Sequence, residues 1–124
     1  AVHENLHLLH MAGYYFSEFG HLSIPNEPFL LMSEAHCYYV ENSLPVHRDS
    51  LTESKVKRLE KYNIHSGDNG FYSHIDIIAY TLASRYRYEH ISTKGVFKLI
   101  KWYVTLFDLA IASGLNNRQL AEKI

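Results

Sequence analysis

An all-α fold is what the sequence predicts: one domain over residues 1–124, built as a bundle of four to five helices. Three observations carry this expectation. Proline occurs three times and glycine six times in 124 residues, too few turn formers for many short strands. Apolar residues recur at three- and four-residue spacing along most of the chain. Cys37 is the one cysteine, so no intrachain disulfide can replace a core. A composition of 47% hydrophobic and 20% charged residues is that of an ordinary globular domain.

The elements follow in order. Val2, Leu6, Leu9, Gly13 and Phe16 trace a first helix over 2–19, ended by Gly20. A second helix starts near Pro28, with Asn26 as a candidate cap and Phe29, Met32, His36 and Tyr39 or Val40 facing inward. Its stretch 30–40 is also compatible with a strand by composition. Residues 42–49, with Pro45, form a linker. A short charged helix covers 51–62, capped by Ser50 or Thr52, with Val56 and Leu59 inward. The NIHSGDNG segment, 63–70, is a loop. Phe71, Ile75, Ile78 and Leu82 define a fourth helix over 71–90. After a break at 92–95, a fifth covers 96–112. Gly114 stops it, and Asn116 or Asn117 caps a final turn.

Charge and targeting signals narrow the function classes. The net charge of −1 gives no global attraction to nucleic acid. The distribution is uneven: residues 1–47 hold five glutamates, six of the nine histidines and no Lys or Arg. Residues 48–124 hold all twelve basic residues against eight acidic ones, a balance of +4. Two faces of opposite sign, and a charged partner for one of them, are expected. No run approaches the roughly 18 apolar residues of a membrane span. The opening AVHENLHLLH lacks a basic region followed by an apolar stretch. With the lone cysteine, this points to the cytoplasm.

Four groups of residues could carry chemistry. Arg85 and His90, with four residues between them in RYRYEH, are placed at the end of the fourth helix. This spacing resembles the Arg-x4-6-His motif of HEPN-type ribonucleases, which are small helical bundles. The resemblance implies metal-independent RNA cleavage across a homodimer interface. His would shuttle the proton and Arg would hold the scissile phosphate. Tyr86 stands where active members usually carry Asn, Asp or His, and Ser92 where Tyr is common. The basic and aromatic residues of 85–103 suit an RNA surface.

His3, His7 and His10 form one helical stripe, and three imidazoles with an open position are the ligand set of some zinc sites. His65, Asp68, His74 and Asp76 flank the glycine-rich loop without matching a motif, and Asp68 and Asn69 read better as turn formers or as a helix cap. Glu34, His36 and Cys37 share the second helix. Neighbouring positions there point apart, so Cys37 reads as a small buried hydrophobe and His36 as a satisfied core histidine.

Ten tyrosines, several in pairs, cannot all face one core, and exposed tyrosine is typical of interfaces. The first reading is therefore a non-enzymatic protein that docks on another macromolecule, as a regulator, inhibitor or immunity-type partner. A protein partner is expected at Tyr14, Glu18, Glu34, Tyr38, Glu41, Tyr86, Arg87 and Tyr88, with no cofactor. The alternatives are the ribonuclease at Arg85 and His90 and a zinc-binding helical protein through His3, His7 and His10.

Overall fold

A computed structural model describes residues 2–15, 27–41 and 45–124, apart from the side chains of residues 2, 14 and 15. Helix makes up 73% of it. The order is α1 (Val2–Tyr15), α2 (Glu27–Glu41), β1 (Val46–His47), a 3-10 turn (Arg48–Ser50), α3 (Glu53–Lys61), β2 (Phe71–Tyr72), α4 (His74–Arg85), α5 (Thr93–Ala112) and α6 (Asn117–Lys123). The all-α expectation holds, with six α-helices among the described residues where four or five were expected.

Local chemistry explains most boundaries. Thr52 caps α3 by accepting from the Lys55 amide at 3.2 Å. Ser92 caps α5 by accepting from Gly95 at 3.0 Å. The longest helix therefore starts at Thr93 rather than at 96. Gly114 adopts φ of 102° just past α5. In that conformation Leu115 N reaches back to Ala110 O at 3.1 Å, the left-handed closure that favours glycine. Asn116 opens α6 with a capping box: its side chain accepts from Gln119 N, and Gln119 Oε1 accepts from Asn116 N. The stretch 30–40 is helix, because α2 packs on two sides, with Leu31 and Ala35 in one apolar cluster and Cys37 and Val40 in another.

Two expectations need correction. The fourth helix covers His74–Arg85 instead of 71–90. Phe71 and Tyr72 leave it to pair with Val46 and His47 as a two-stranded antiparallel ribbon, which puts Ser73 at the N-cap. At the other end, Tyr88 and Ile91 bridge each other in a turn, so His90 lies beyond the helix. Asn69 is the turn former, its side chain accepting from the Phe71 amide. The expected end of α1 at Gly20 and the Asn26 cap lie outside the described residues.

The main core lies where α4 and α5 pack on each other and on α2. It contains Leu31, Ile78, Leu82, Val96, Ile100, Val104 and Phe107. A second cluster, Leu59, Ile64, Tyr72 and Tyr80, holds α3 and the ribbon to α4. Helix α1 lies outside this core, against α2 and α6. Its apolar seam is small: Leu6, Cys37 and Ala121, with Leu9 and Val40 at the edge.

Candidate functional site between α1 and α2

The seam between α1 and α2 is polar inside. On α1, His3 and His7 stand one turn apart and share a face. On α2, Ser33, Glu34, Cys37 and Glu41 recur at three- and four-residue spacing and meet them. His7 Nε2 lies 2.6 Å from Glu34 Oε1 and 2.9 Å from His3 Nε2. His3 Nε2 lies 3.9 Å from the same carboxylate oxygen. Cys37 Sγ joins the histidine pair in a group whose ligand atoms all lie within 4.8 Å of one another.

The outer atoms of this group are held in turn. His3 Nδ1 meets Glu41 Oε1 at 3.1 Å. His7 Nδ1 meets Ser33 Oγ at 2.7 Å. Glu34 is only 17% exposed in its side chain, and its Oε2 is buried outside good hydrogen-bond geometry, with the Tyr86 phenol as an interacting neighbour of the carboxylate. A buried carboxylate oxygen in that state is costly unless a cation compensates it. The Cys37 thiol donates to the His3 carbonyl at 3.5 Å. Burial, then the Glu34, Glu41 and Glu4 charges, push it up to about 12.

His10 departs from the predicted trio. It is fully buried and turns to Ser33 Oγ at 2.6 Å and His36 Nδ1 at 3.0 Å. His36 is also fully buried. It packs on Phe107 and reaches Asn117 Oδ1 at 3.3 Å. Burial pushes His10 down to about 4, helped by the neighbouring His36 and His7. Burial likewise lowers His36, against the opposing hydrogen bond to Asn117 Oδ1. His36 is thus the satisfied core histidine its position suggested.

The other predicted residues distribute as follows. Tyr38 stacks edge-on against His3 and accepts from Arg85 Nη1 at 3.1 Å. Burial, then the neighbouring Tyr38 and Glu34, raise the Tyr86 phenol. Tyr88 is half-buried and raised by burial, then Glu34 and Glu27. Arg87 donates to backbone carbonyls of Ala83 and Tyr86. Glu34, Tyr38 and Glu41 are therefore neighbours of the histidines, and Tyr86 interacts with Tyr38 and Glu34 behind them. Glu18 lies outside the described residues, as does the side chain of Tyr14.

His90 is 80% exposed in its side chain. Its amide and that of Glu89 donate to the Glu27 carboxylate. Nothing among the described residues joins His90 to Arg85. Around the glycine-rich loop, His74 pairs with Asp108, Asp76 with Lys101 and His65 with Asn63, so that foursome does not assemble. Lys61, Lys94, Lys98 and Lys101 line a basic hollow beside the stacked Tyr62 and Phe97 rings.

The pairing of His3 and His7 was readable from their spacing. The contributions of Ser33, Glu34 and Glu41 were not, because they depend on how α2 packs. An available signal was the Glu34, Cys37, Glu41 spacing, which repeats on α2 the helical stripe of the α1 histidines. Asn117, 81 positions from His36, left no signal at all. Comparison with protein-family models, curated proteins and solved structures returns no match. No helix among the described residues is long and apolar enough to cross a membrane.

Proposed function

We propose that this is a metal-binding helical protein whose site clamps α1 onto α2. One observation carries the reading: two imidazole nitrogens and a carboxylate oxygen converge with separations of 2.6, 2.9 and 3.9 Å. Ligand atoms of a tetrahedral zinc ion stand roughly 3.3 Å apart, given bonds of about 2.0–2.1 Å. The three separations bracket that edge. His3 and His7 supply nitrogen and Glu34 oxygen, with Cys37 facing the same point. Two imidazoles favour zinc-type transition ions over magnesium or calcium. Glu41 behind His3 and Ser33 behind His7 are the outer partners that metal-binding histidines usually keep. The small apolar seam of α1 gives the metal a task, since a shared ion ties two helices that hydrophobic contact alone holds weakly.

The test is a zinc titration of untagged protein against a chromophoric chelator, with elemental analysis. One equivalent of zinc is expected, with a higher unfolding temperature. His3→Ala and His7→Ala should each lose at least tenfold in affinity, and His90→Ala should lose nothing. Wild-type protein that takes up no zinc, cobalt or nickel would sink the reading.

A second reading, docking on another macromolecule, is supported by one separate feature. Trp102, Leu106 and Leu109 form an exposed apolar stripe along α5, with Trp102 57% and Leu109 60% exposed. Stripes of this kind often mark interaction surfaces. A partner that still co-purifies with the Trp102→Ala, Leu109→Ala double variant would rule out this face.

A further inference from the structure

A single chain of hydrogen bonds runs through the seam from α6 to the metal ligands. Its members are Asn117, His36, His10, Ser33 and His7, with successive separations of 3.3, 3.0, 2.6 and 2.7 Å. His10 and His36 are fully buried and Ser33 nearly so. A neutral imidazole has one N–H and one lone pair, and a serine hydroxyl has one proton to give. Fixing the direction at one end therefore fixes it at every link.

The Asn117 atom facing His36 is Oδ1, which only accepts. His36 Nε2–H donates to it, leaving His36 Nδ1 as a lone pair. His10 Nε2–H donates to that lone pair, leaving His10 Nδ1 to accept from Ser33 Oγ–H. The serine oxygen then accepts from His7 Nδ1–H. The last consequence falls on His7 Nε2, which in the neutral ring is the lone-pair nitrogen. On the other side, the Glu41 carboxylate accepts His3 Nδ1–H, so a neutral His3 presents a lone pair at Nε2 as well. Two lone pairs and the Glu34 carboxylate then converge with no proton between them, an arrangement that repels itself until a cation enters.

We propose that Asn117, His36, His10 and Ser33 are positioning residues that set the His7 tautomer, holding His7 Nε2 open for a metal ion. The proposal rests on the metal-binding reading for its ligand, a zinc-type divalent cation. None of the four contacts the ion. They act by denying His7 Nε2 a proton. One proton per ring is the count for neutral imidazoles, the form that suits two fully buried rings with a partner at each nitrogen. The opposite direction has a different outcome at the site. If the Asn117 amide nitrogen faced His36, every link would reverse, and His7 Nε2–H would donate to Glu34. The site would then be satisfied without metal. The amide of Asn117 thus selects between an open and a self-closed site from a different helix.

Two measurements test this. Long-range proton–nitrogen NMR of the metal-free wild type reads each tautomer directly. His7 protonated at Nδ1, with His10 and His36 at Nε2, is expected. A His7 proton on Nε2, or on both nitrogens, overturns the proposal. Zinc competition titration then compares variants. Asn117→Leu removes the acceptor and should weaken zinc binding 10- to 100-fold, the usual cost of losing an outer partner. Asn117→Asp keeps an acceptor at this position and should stay within a few-fold of wild type. Equal affinities for all three proteins would overturn the proposal while leaving the metal site intact. Absence of zinc binding by the wild type would remove the metal-binding reading, and the tautomer spectrum would still decide the chain. Should Asn117→Leu fail to fold, the wild-type spectrum decides alone.

Discussion

Helices α4 and α5 bury an interior of hydrocarbon, whereas α1 and α2 bury an interior of imidazole, hydroxyl and carboxylate. The α4–α5 side hides Ile78, Leu82, Val96, Ile100, Val104 and Phe107. The α1–α2 side hides His10, Ser33 and His36 beside a small apolar patch. Apolar burial is worth about 25 cal/mol per Å² and has no direction. A buried polar network contributes little net stability and demands that every donor meet an acceptor. The first region keeps the protein folded. The second is where a defined arrangement of atoms is maintained, and chemistry needs such an arrangement. Helix α2 belongs to both, with Leu31 and Ala35 toward the core and Ser33 and Cys37 toward α1.

The largest expected effect breaks the hydrocarbon side. Ile100 is completely buried at the middle of α5. Ile100→Ala removes buried methyl groups and leaves a cavity that close packing fills only in part. A loss of about 2–5 kcal/mol is expected, read by urea denaturation followed through the Trp102 fluorescence and helical circular dichroism together. Both probes should shift in one transition. A cost below about 1 kcal/mol would mean that α4–α5 is not the seat of stability.

The next effect sharpens the contrast by acidity. His10 is held near 4 in the folded protein against an ordinary 6.5. Above pH 6.5 the ring is neutral folded or unfolded, and no proton is linked to folding. Between 6.5 and 4 the unfolded chain takes a proton that the folded one refuses. Stability therefore falls as pH drops through that window, by up to about 3 kcal/mol at 1.36 kcal/mol per pH unit. Below 4 the His10 contribution is flat. Denaturant titrations across this range should show the slope, and His10→Leu should reduce it, leaving the share of His36, which burial lowers in the same direction. A wild-type curve level from pH 7 to 4 would show that the seam admits water or protons freely.

Periodicity made the hydrocarbon side legible. Ile78 and Leu82, and Val96, Leu99, Ile100, Tyr103 and Phe107, declare their helices because apolar spacing is itself the cause of their burial. The polar seam was legible by half. His3, His7 and His10 shared a predicted stripe, yet His10 rotates away toward His36, a choice made by α2 and invisible in α1. The same limit explains the shortened α4. Phe71 fits the helical stripe, but the strand pairing with His47, 24 positions earlier in the chain, claims it. Tertiary partners override local spacing wherever a polar or edge-forming group has two ways to be satisfied.

The smallest effect compares two helix caps, one on each side. Ser92 caps α5, whose length spans the apolar core. Asn116 caps α6, which delivers Asn117 to His36. Loss of a cap costs typically about 1 kcal/mol. For Ser92→Ala that cost should appear in full as global stability, because α5 cannot fray without opening the core. For Asn116→Ala much of it should stay local. Helix α6 has seven residues and buries only Leu120 and Ala121, so its end can loosen while α4 and α5 remain packed. Amide hydrogen exchange separates the two cases. Asn116→Ala should speed exchange within α6 several-fold and leave α5 unchanged, with a smaller shift in the denaturation midpoint than Ser92→Ala. Equal midpoint shifts with uniform exchange would mean that the two interiors unfold as one unit, and that the polar seam is as firmly tied to the core as the hydrocarbon is to itself.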